Sequence, residues 1–223
     1  LWDAERKTYV APTPAVMPGI WGGVRLELVP DLRLDDVWVR TSVEKKRIEV
    51  ELTLVNAGAA ARTATPAVTV RGPDGTAACA LEGDKTTLAP GETKAVTLAA
   101  DWVAPHLWSA SSPVTYAAEA LLADGGAEID RSRAVFGFRE FTVKGRDFLL
   151  NGRRQVLLRN SWLMHPAGTR EDVYSQLRDD LTHFNCLRLH LGFINPHILE
   201  QADRAGMLII PEFWAWYEDQ DKC

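Results

Sequence analysis

The sequence predicts an all-β region followed by an α/β region: an immunoglobulin-like β-sandwich, then the strand–helix–strand–helix–strand succession of a parallel sheet. Three observations lead there. Between Leu34 and Phe138 apolar residues recur at every second position, in roughly seven short runs separated by turn signals. After Phe138 the apolar spacing twice lengthens to a helical period, each time between short apolar runs. The composition is globular throughout, with 46% apolar and 25% charged residues in a chain of 223.

Taken in order, Val24, Leu26 and Leu28 alternate with Arg25 and Glu27 after a Pro18-Gly19 turn signal, which predicts a half-buried strand. Residues 1–33 are too few for a domain, so this strand reads as the last of a larger unit. Val37, Val39, Thr41 and Val43 share one face of the next strand, and Ile48, Val50, Leu52 and Leu54 one face of the strand after it. Asn56-Ala57-Gly58, Gly72-Pro73-Asp74-Gly75 and Pro90-Gly91-Glu92 supply the turns. Val96 and Leu98, then Tyr116, Ala118, Ala120 and Leu122, then Ile129 and Val135 continue the alternation. No Cys–Trp–Cys arrangement is present, which excludes the core disulfide of antibody domains.

The pattern changes near Gly137. Residues 141–152 read as a hairpin with a Lys144-Gly145 turn and an Asn151-Gly152 exit. Val156-Leu157-Leu158 is a short apolar run, as in a strand buried on both faces. Thr169 is the expected N-cap of a helix, with Asp172 three residues on, and Val173, Leu177, Leu181 and Phe184 form its apolar face. Residues 186–189 are the next strand. Asn195-Pro196 opens a second helix with Ile198, Leu199, Ala202 and Ala205 inward, Gly206 ends it, and residues 207–210 form a third strand. Only 85 residues follow Phe138. A complete (β/α)8 barrel needs ~250, so this is either the opening third of a barrel or the whole of a small open sheet.

The formal net charge is -5, from 25 Lys+Arg against 30 Asp+Glu. A mildly acidic chain has no electrostatic reason to bind nucleic acid or anionic lipid, and neither partner is expected. No apolar run reaches the ~20 residues of a membrane span, so no membrane partner is expected on that ground either. Cys79, Cys186 and Cys223 are odd in number and scattered, without metal-ligand spacing. No disulfide framework, metal or cofactor is therefore expected. Leu1 and Cys223 both read as lying inside a continuing polypeptide, so the lack of a signal peptide assigns no compartment.

Several segments resemble glycoside hydrolase family 2, the group of β-galactosidases, β-glucuronidases and β-mannosidases. PGIWGGVRLE (18–27) is similar to the closing strand of its jelly-roll sugar-binding domain, and LWSASSPVTY (107–116) to a stretch of its sandwich. FGFREFTVKGRDFLLNG (136–152), followed by LLRN (157–160), resembles the junction between sandwich and barrel. FNCLRLH (184–190) and ADRAGMLIIPEF (202–213) resemble the second and third barrel strands. The likeness runs through nearly the whole chain in order, and the junction motif is the long, specific one. It implies three parts: residues 1–33 as the tail of the jelly roll, 34–138 as the immunoglobulin-like sandwich, and 139–223 as the N-terminal part of a TIM-barrel catalytic domain. Departures bear on sugar specificity: Asn160 stands where the family usually has Gly, LGFINP (191–196) replaces a Tyr-Pro-rich stretch, and Pro-Glu-Phe-Trp is nearer to the mannosidase wording.

Glycoside hydrolysis needs two carboxyl groups across the scissile bond. The resemblance implies that both come from later barrel strands, the acid/base from an Asn-Glu pair. Asn56, Asn151, Asn160, Asn185 and Asn195 are followed by Ala, Gly, Ser, Cys and Pro, so no catalytic residue is assigned in this chain. Substrate-side candidates remain. Arg188 matches the family Arg that holds the nucleophile carboxylate, and a buried Arg requires a carboxylate partner in any case. His190 shares its face by alternation and matches a substrate-reaching His. Glu212, at the end of the third strand, is read as a pocket-lining or structural carboxylate before a catalytic one. Trp162, Trp214 and Trp216 follow strand ends, where indole faces stack on sugar C–H surfaces. Asn160 ends the first strand, in reach of a sugar hydroxyl or in a turn. His165 and His197 are weaker candidates. Trp2, Trp21, Trp38, Trp102 and Trp108 are expected to pack the β region.

Two main functional readings follow. One is part of a retaining β-glycosidase acting on an oligosaccharide or glycoconjugate, inactive as this chain alone. The other is a non-catalytic immunoglobulin-like module that binds carbohydrate or protein; a standalone α/β domain is a third, but no Gly-rich phosphate loop supports a nucleotide fold. Unpaired strand edges in an incomplete barrel favour association into homo-oligomers.

Overall fold

The computed structural model describes residues 26–162, 169–190 and 196–212, and the backbone pairing of Trp2–Asp3 (β1) with Thr8–Tyr9 (β2). Eight strands follow in the sandwich: β3 (Leu32–Ser42), β4 (Arg47–Asn56), β5 (Arg62–Arg71), β6 (Ala77–Glu82), β7 (Thr86–Leu88), β8 (Thr93–Asp101), β9 (Tyr116–Asp124) and β10 (Ala127–Phe136). They form two antiparallel sheets. One has the order β3-β4-β8; the other has the order β10-β9-β5-β6, with β7 paired to β5.

The alternation read from the sequence builds the core between the sheets. Ile48, Val50, Leu52 and Leu54 are wholly buried on β4, and Tyr116, Ala118, Ala120 and Leu122 face them from β9. In β3 a bulge between Leu34 and Asp36 changes the parity of the strand. Leu32 and Leu34 therefore share the inner face with Val37 and Val39, although the two pairs differ in odd–even position. A second bulge, between Glu128 and Asp130, acts on β10, where Phe136 closes the core and Val135 points outward, against expectation. Trp38 also departs from expectation: it sits on the outer face, 53% exposed, with the Arg40 guanidinium 4.9 Å from its ring centre. Trp102 does pack inward, edge-on to Tyr116 and Phe138. The strand predicted around Leu26 and Leu28 is not formed over residues 26–30, where both leucines are more than 89% exposed (90% and 94%). Alternation produces a strand only beside a partner, and among the described residues none lies there. Val24, Trp2, Trp21 and the 18–25 part of the jelly-roll resemblance fall outside what is described in side-chain detail.

Beyond the sandwich, β11 (Phe141–Lys144), β12 (Asp147–Leu150) and β13 (Arg153–Gln155) make an antiparallel meander. The Asn151-Gly152 pair is its second turn, not merely an exit. Then come β14 (Arg159–Trp162), α1 (Arg170–Asp180), β15 (Cys186–Leu189), α2 (Pro196–Ala205) and β16 (Leu208–Pro211). The three strands pair in parallel in the order β14-β15-β16. The apolar run 156–158 is not a strand and leaves Val156 and Leu158 exposed. The Asn185 side chain takes over its hydrogen bonds: Leu158 N donates to Asn185 Oδ1 (2.9 Å), and Asn185 Nδ2 donates to Val156 O (2.8 Å). Pairing with β15 then begins one residue after the run, at Arg159.

Thr169 and Asp172 cap α1 reciprocally, as predicted. Val173 and Leu177 of α1 and Ile198, Ala202 and Ala205 of α2 bury one sheet face, formed by Leu187, Leu189, Ile209 and Trp162. Leu199 is exposed instead of inward, and Gln201 takes a buried place on α2.

The sandwich and the α/β unit are fastened together. Trp108 is wholly buried; its Nε1 donates to Asp203 O on α2 (2.7 Å). The Arg139 guanidinium lies 4.3 Å from the Trp108 ring centre and donates to Asp203 Oδ1 (2.7 Å). Two glycines permit the approach. A Cβ on Gly137 would stand 2.7 Å from Trp108, and one on Gly206 (φ +95°) would stand 2.6 Å from Ala110 O.

Candidate functional site

Parallel register fixes which side chains meet. Ser161, Arg188 and Ile210 lie side by side across the three strands, on the face opposite the helices. Two further backbone bonds prolong the ladder past the strand ends: His190 N donates to Trp162 O (3.0 Å) and Glu212 N to Leu189 O (3.2 Å). His190 and Glu212 therefore emerge at the carboxyl ends of β15 and β16, on the Arg188 side.

There the three side chains join. Arg188 Nη2 donates to Glu212 Oε1, and His190 Nδ1 donates to Glu212 Oε2 at 2.6 Å. All three are 28% exposed, so the cluster is reachable from solvent. The bond from His190, with the Arg188 bond and charge beside it, holds the Glu212 carboxyl below its ordinary range. A carboxyl so held stays ionised at neutral pH. It suits charge pairing and positioning, and is a poor proton donor. Among the described residues no group of His, Cys, Asp and Glu has the arrangement of a metal site.

The other candidates are placed elsewhere. Asn160 and Trp162 lie on the helix side of β14, and both bond Asp180 at the end of α1: Asn160 Nδ2 to Oδ1 (2.9 Å) and Trp162 Nε1 to Oδ2 (2.8 Å). The structure thus does not bring them to Arg188. Their even positions in β14 pair with Leu187 and Leu189, which are core residues. His197 is half exposed on α2, 3.8 Å from Glu200. Trp214, Trp216 and His165 lie outside the described residues. Ser161, which sequence reasoning passed over, is the β14 residue beside Arg188. The signal was weak, because Arg159-Asn160-Ser161 is polar at every position and shows no face. Asp180, Arg139 and Asp203 were also passed over, since each acts only through a distant partner.

A sandwich is latched to a parallel unit whose polar cluster stands at the carboxyl ends of its strands, the end where α/β folds commonly bind ligands. Residues 32–139 match the family model described as "Glycosyl hydrolases family 2". The matched stretch coincides with the sandwich, 108 of the 223 residues. No curated protein matches it. Its fold is shared by a glycosyl hydrolase family 2 member from Bacteroides cellulosilyticus, with a TM-score of 0.74 at 22% identity over 83% of this chain. Bacteroides uniformis beta-glucuronidase 2, solved covalently bound to cyclophellitol-6-carboxylate aziridine, gives 0.71 at 25% identity over 83%. The beta-galacturonidase from Eisenbergiella tayi, solved bound to galacturonate, gives 0.69 at 21% identity over 84%. This chain spans 27%, 24% and 34% of those three chains, respectively.

Proposed function

We propose that this chain is part of a retaining β-glycosidase that removes a sugar from an oligosaccharide or glycoconjugate. On this reading residues 1–33 close a jelly roll, 34–138 are the sandwich, and 139–223 open a (β/α)8 barrel. Two features support a barrel start over an open two-sided sheet. Strand order follows chain order, and both helices cover the same face, leaving the Arg188 face for a lumen.

The observation that carries the proposal is the Arg188–Glu212–His190 cluster at the carboxyl ends of parallel strands, beside a family 2 sandwich. Retaining hydrolysis needs an acid/base and a nucleophile ~5–5.5 Å apart. Glu212, already engaged by two partners, fills neither role. It aims Arg188 and His190 into the lumen, where Arg188 is placed to hold a nucleophile from a later strand and His190 to meet a sugar hydroxyl. The absence of any Asn-Glu pair favours a second reading for the chain by itself, a non-catalytic module.

The test is nitrophenol release from aryl β-galactoside, β-glucuronide, β-mannoside and β-glucosaminide. The longer protein bearing this chain should cleave one of them, with kcat lowered by Arg188→Ala. The 223-residue chain alone should cleave none. Turnover by that chain would make Glu212 catalytic and overturn the assignment.

A further inference from the structure

The outer face of the β10-β9-β5-β6 sheet carries a groove of about 440 Å3, on a different sheet from the Arg188 cluster. Strand register builds it. Thr69 on β5, Glu119 on β9 and Arg133 on β10 stand in one row. The row on one side is Ala67, Leu121 and Arg131; the row on the other is Arg71, Ala117 and Val135.

Its charge is unbalanced. Three guanidinium groups, those of Arg71, Arg131 and Arg133, meet two carboxylates, Glu119 at the centre and Glu128 at the rim. Arg71 Nε donates to Glu119 Oε2 (2.7 Å), and Arg131 donates twice to Glu128 at the rim (2.7 and 2.6 Å). Arg133 is exposed and has no carboxylate partner among the described residues. A local positive excess on a chain of net charge -5 is a place for an anion. The groove also offers an acceptor in Glu119, a hydroxyl on Thr69 and an apolar surface in Leu121, which is 36% exposed.

We propose that this groove binds a uronate residue of an acidic glycan. Arg133 takes its carboxylate, Glu119 and Thr69 take ring hydroxyls, and Leu121 lies under the C–H face. A volume of about 440 Å3 suits a ligand of that size. A neutral sugar leaves Arg133 without its anion. An acidic peptide brings successive carboxylates up to Glu119, which repels them. The site lies on the sandwich, so it anchors a glycan without taking part in chemistry, and it stands or falls independently of the glycosidase reading.

The experiment is NMR titration of the isotopically labelled chain with methyl β-glucuronide, methyl β-glucoside, sodium sulfate and an acidic hexapeptide. The expected result is saturable shifts at Thr69, Glu119 and Arg133 with the glucuronide alone, weakened by added salt. Arg133→Ala should lower affinity about tenfold, the loss of one charge-assisted hydrogen bond. The exposed, unpaired side chain makes this variant safe for the fold. Glu119→Gln should weaken the glucuronide and leave the response to sulfate unchanged or stronger. Equal shifts with the glucoside, equal or larger shifts with sulfate or the peptide, shifts confined to Leu189 and His190, or no saturable shift would each overturn the proposal.

Discussion

The two regions of the molecule are stabilised differently. In the sandwich each apolar face has an opposing sheet, and the core from Leu32 to Phe138 is closed on both sides. In the α/β unit the described core lies on the helix face. The opposite face holds Arg188 and Ile210, and among the described residues β14 and β16 each pair on one side alone. Beside β16 lies a cavity of about 590 Å3, lined by Phe141, Phe148, Leu150, Cys186, Leu199 and Ile210 among others. The sandwich therefore buries what its pattern displays, whereas the α/β unit displays apolar and polar groups it does not cover. Stability should reside in the first region and ligand contact in the second. The Trp108–Arg139–Asp203 latch lends the second region part of the stability of the first.

The sharpest way to break this comparison is a matched pair of cavities. Leu52 and Leu177 are both wholly buried, one in each core. Leucine-to-alanine changes at such sites cost ~2–5 kcal/mol. Leu177→Ala should unfold only the α/β unit, with amide protection intact from 32 to 136 by hydrogen exchange. Leu52→Ala should lower protection in both regions, because α2 leans on the sandwich through Asp203. Equal, global losses from both variants would mean one undivided cooperative unit.

Next in size is Gly206→Ala. The new Cβ meets the Ala110 carbonyl at 2.6 Å and the backbone stays at φ +95°, so the change is strained twice over. A loss of about 1–3 kcal/mol is expected, the cost of overpacking. It should appear as faster exchange in α2 and β16 with the sandwich unchanged. Arg139→Met is smaller: it removes a partly exposed ion pair and a cation–π contact, together worth about 1–2 kcal/mol. It should move the same amides as Gly206→Ala, which urea titration followed residue by residue would read.

Legibility in the sequence followed the same division. The sandwich could be read because its strands alternate cleanly, as in Ile48–Leu54 and Tyr116–Leu122. It was misread at Val135, beyond the bulge between Glu128 and Asp130, and at Trp38, both of which face outward. In the α/β unit the helices announced themselves by the Thr169 cap and Pro196. The strand at 156–158 was a false one, because a single Asn185 side chain competes for its backbone groups. Arg188, His190 and Glu212 could be picked out because they stand at or just past the ends of apolar strands. That they converge on one carboxylate needed the register of β15 and β16. Asn160 and Trp162 were chosen from the same strand ends, but polarity alone gave no parity for β14.

The smallest effect expected is on acidification, and it too separates the regions. Glu212 is held below the ordinary range of a glutamate carboxyl, first by the His190 bond, and Asp172 below that of an aspartate by the Thr169 backbone and hydroxyl bonds. A carboxyl whose pKa is lower folded than unfolded contributes in full above its unfolded value and loses that contribution as pH falls through its folded value. Both groups join elements of the α/β unit: Asp172 starts α1, and Glu212 ties β15 to β16. The lowered carboxyls of the sandwich, Asp74 and Glu128, bond residues two and three positions away at a turn and at the edge of a sheet. Their protonation leaves the two-sheet core untouched. As pH falls from about 4.5, amide signals of α1, β15 and β16 should therefore broaden and exchange while those of β4 and β9 persist. Glu212→Gln removes one titrating group, so it should flatten this pH dependence at β15 and β16 and leave the Thr169 end of α1 as acid-sensitive as before. If β4 lost protection at the same pH as β15, the regions would not differ in the way their cores imply.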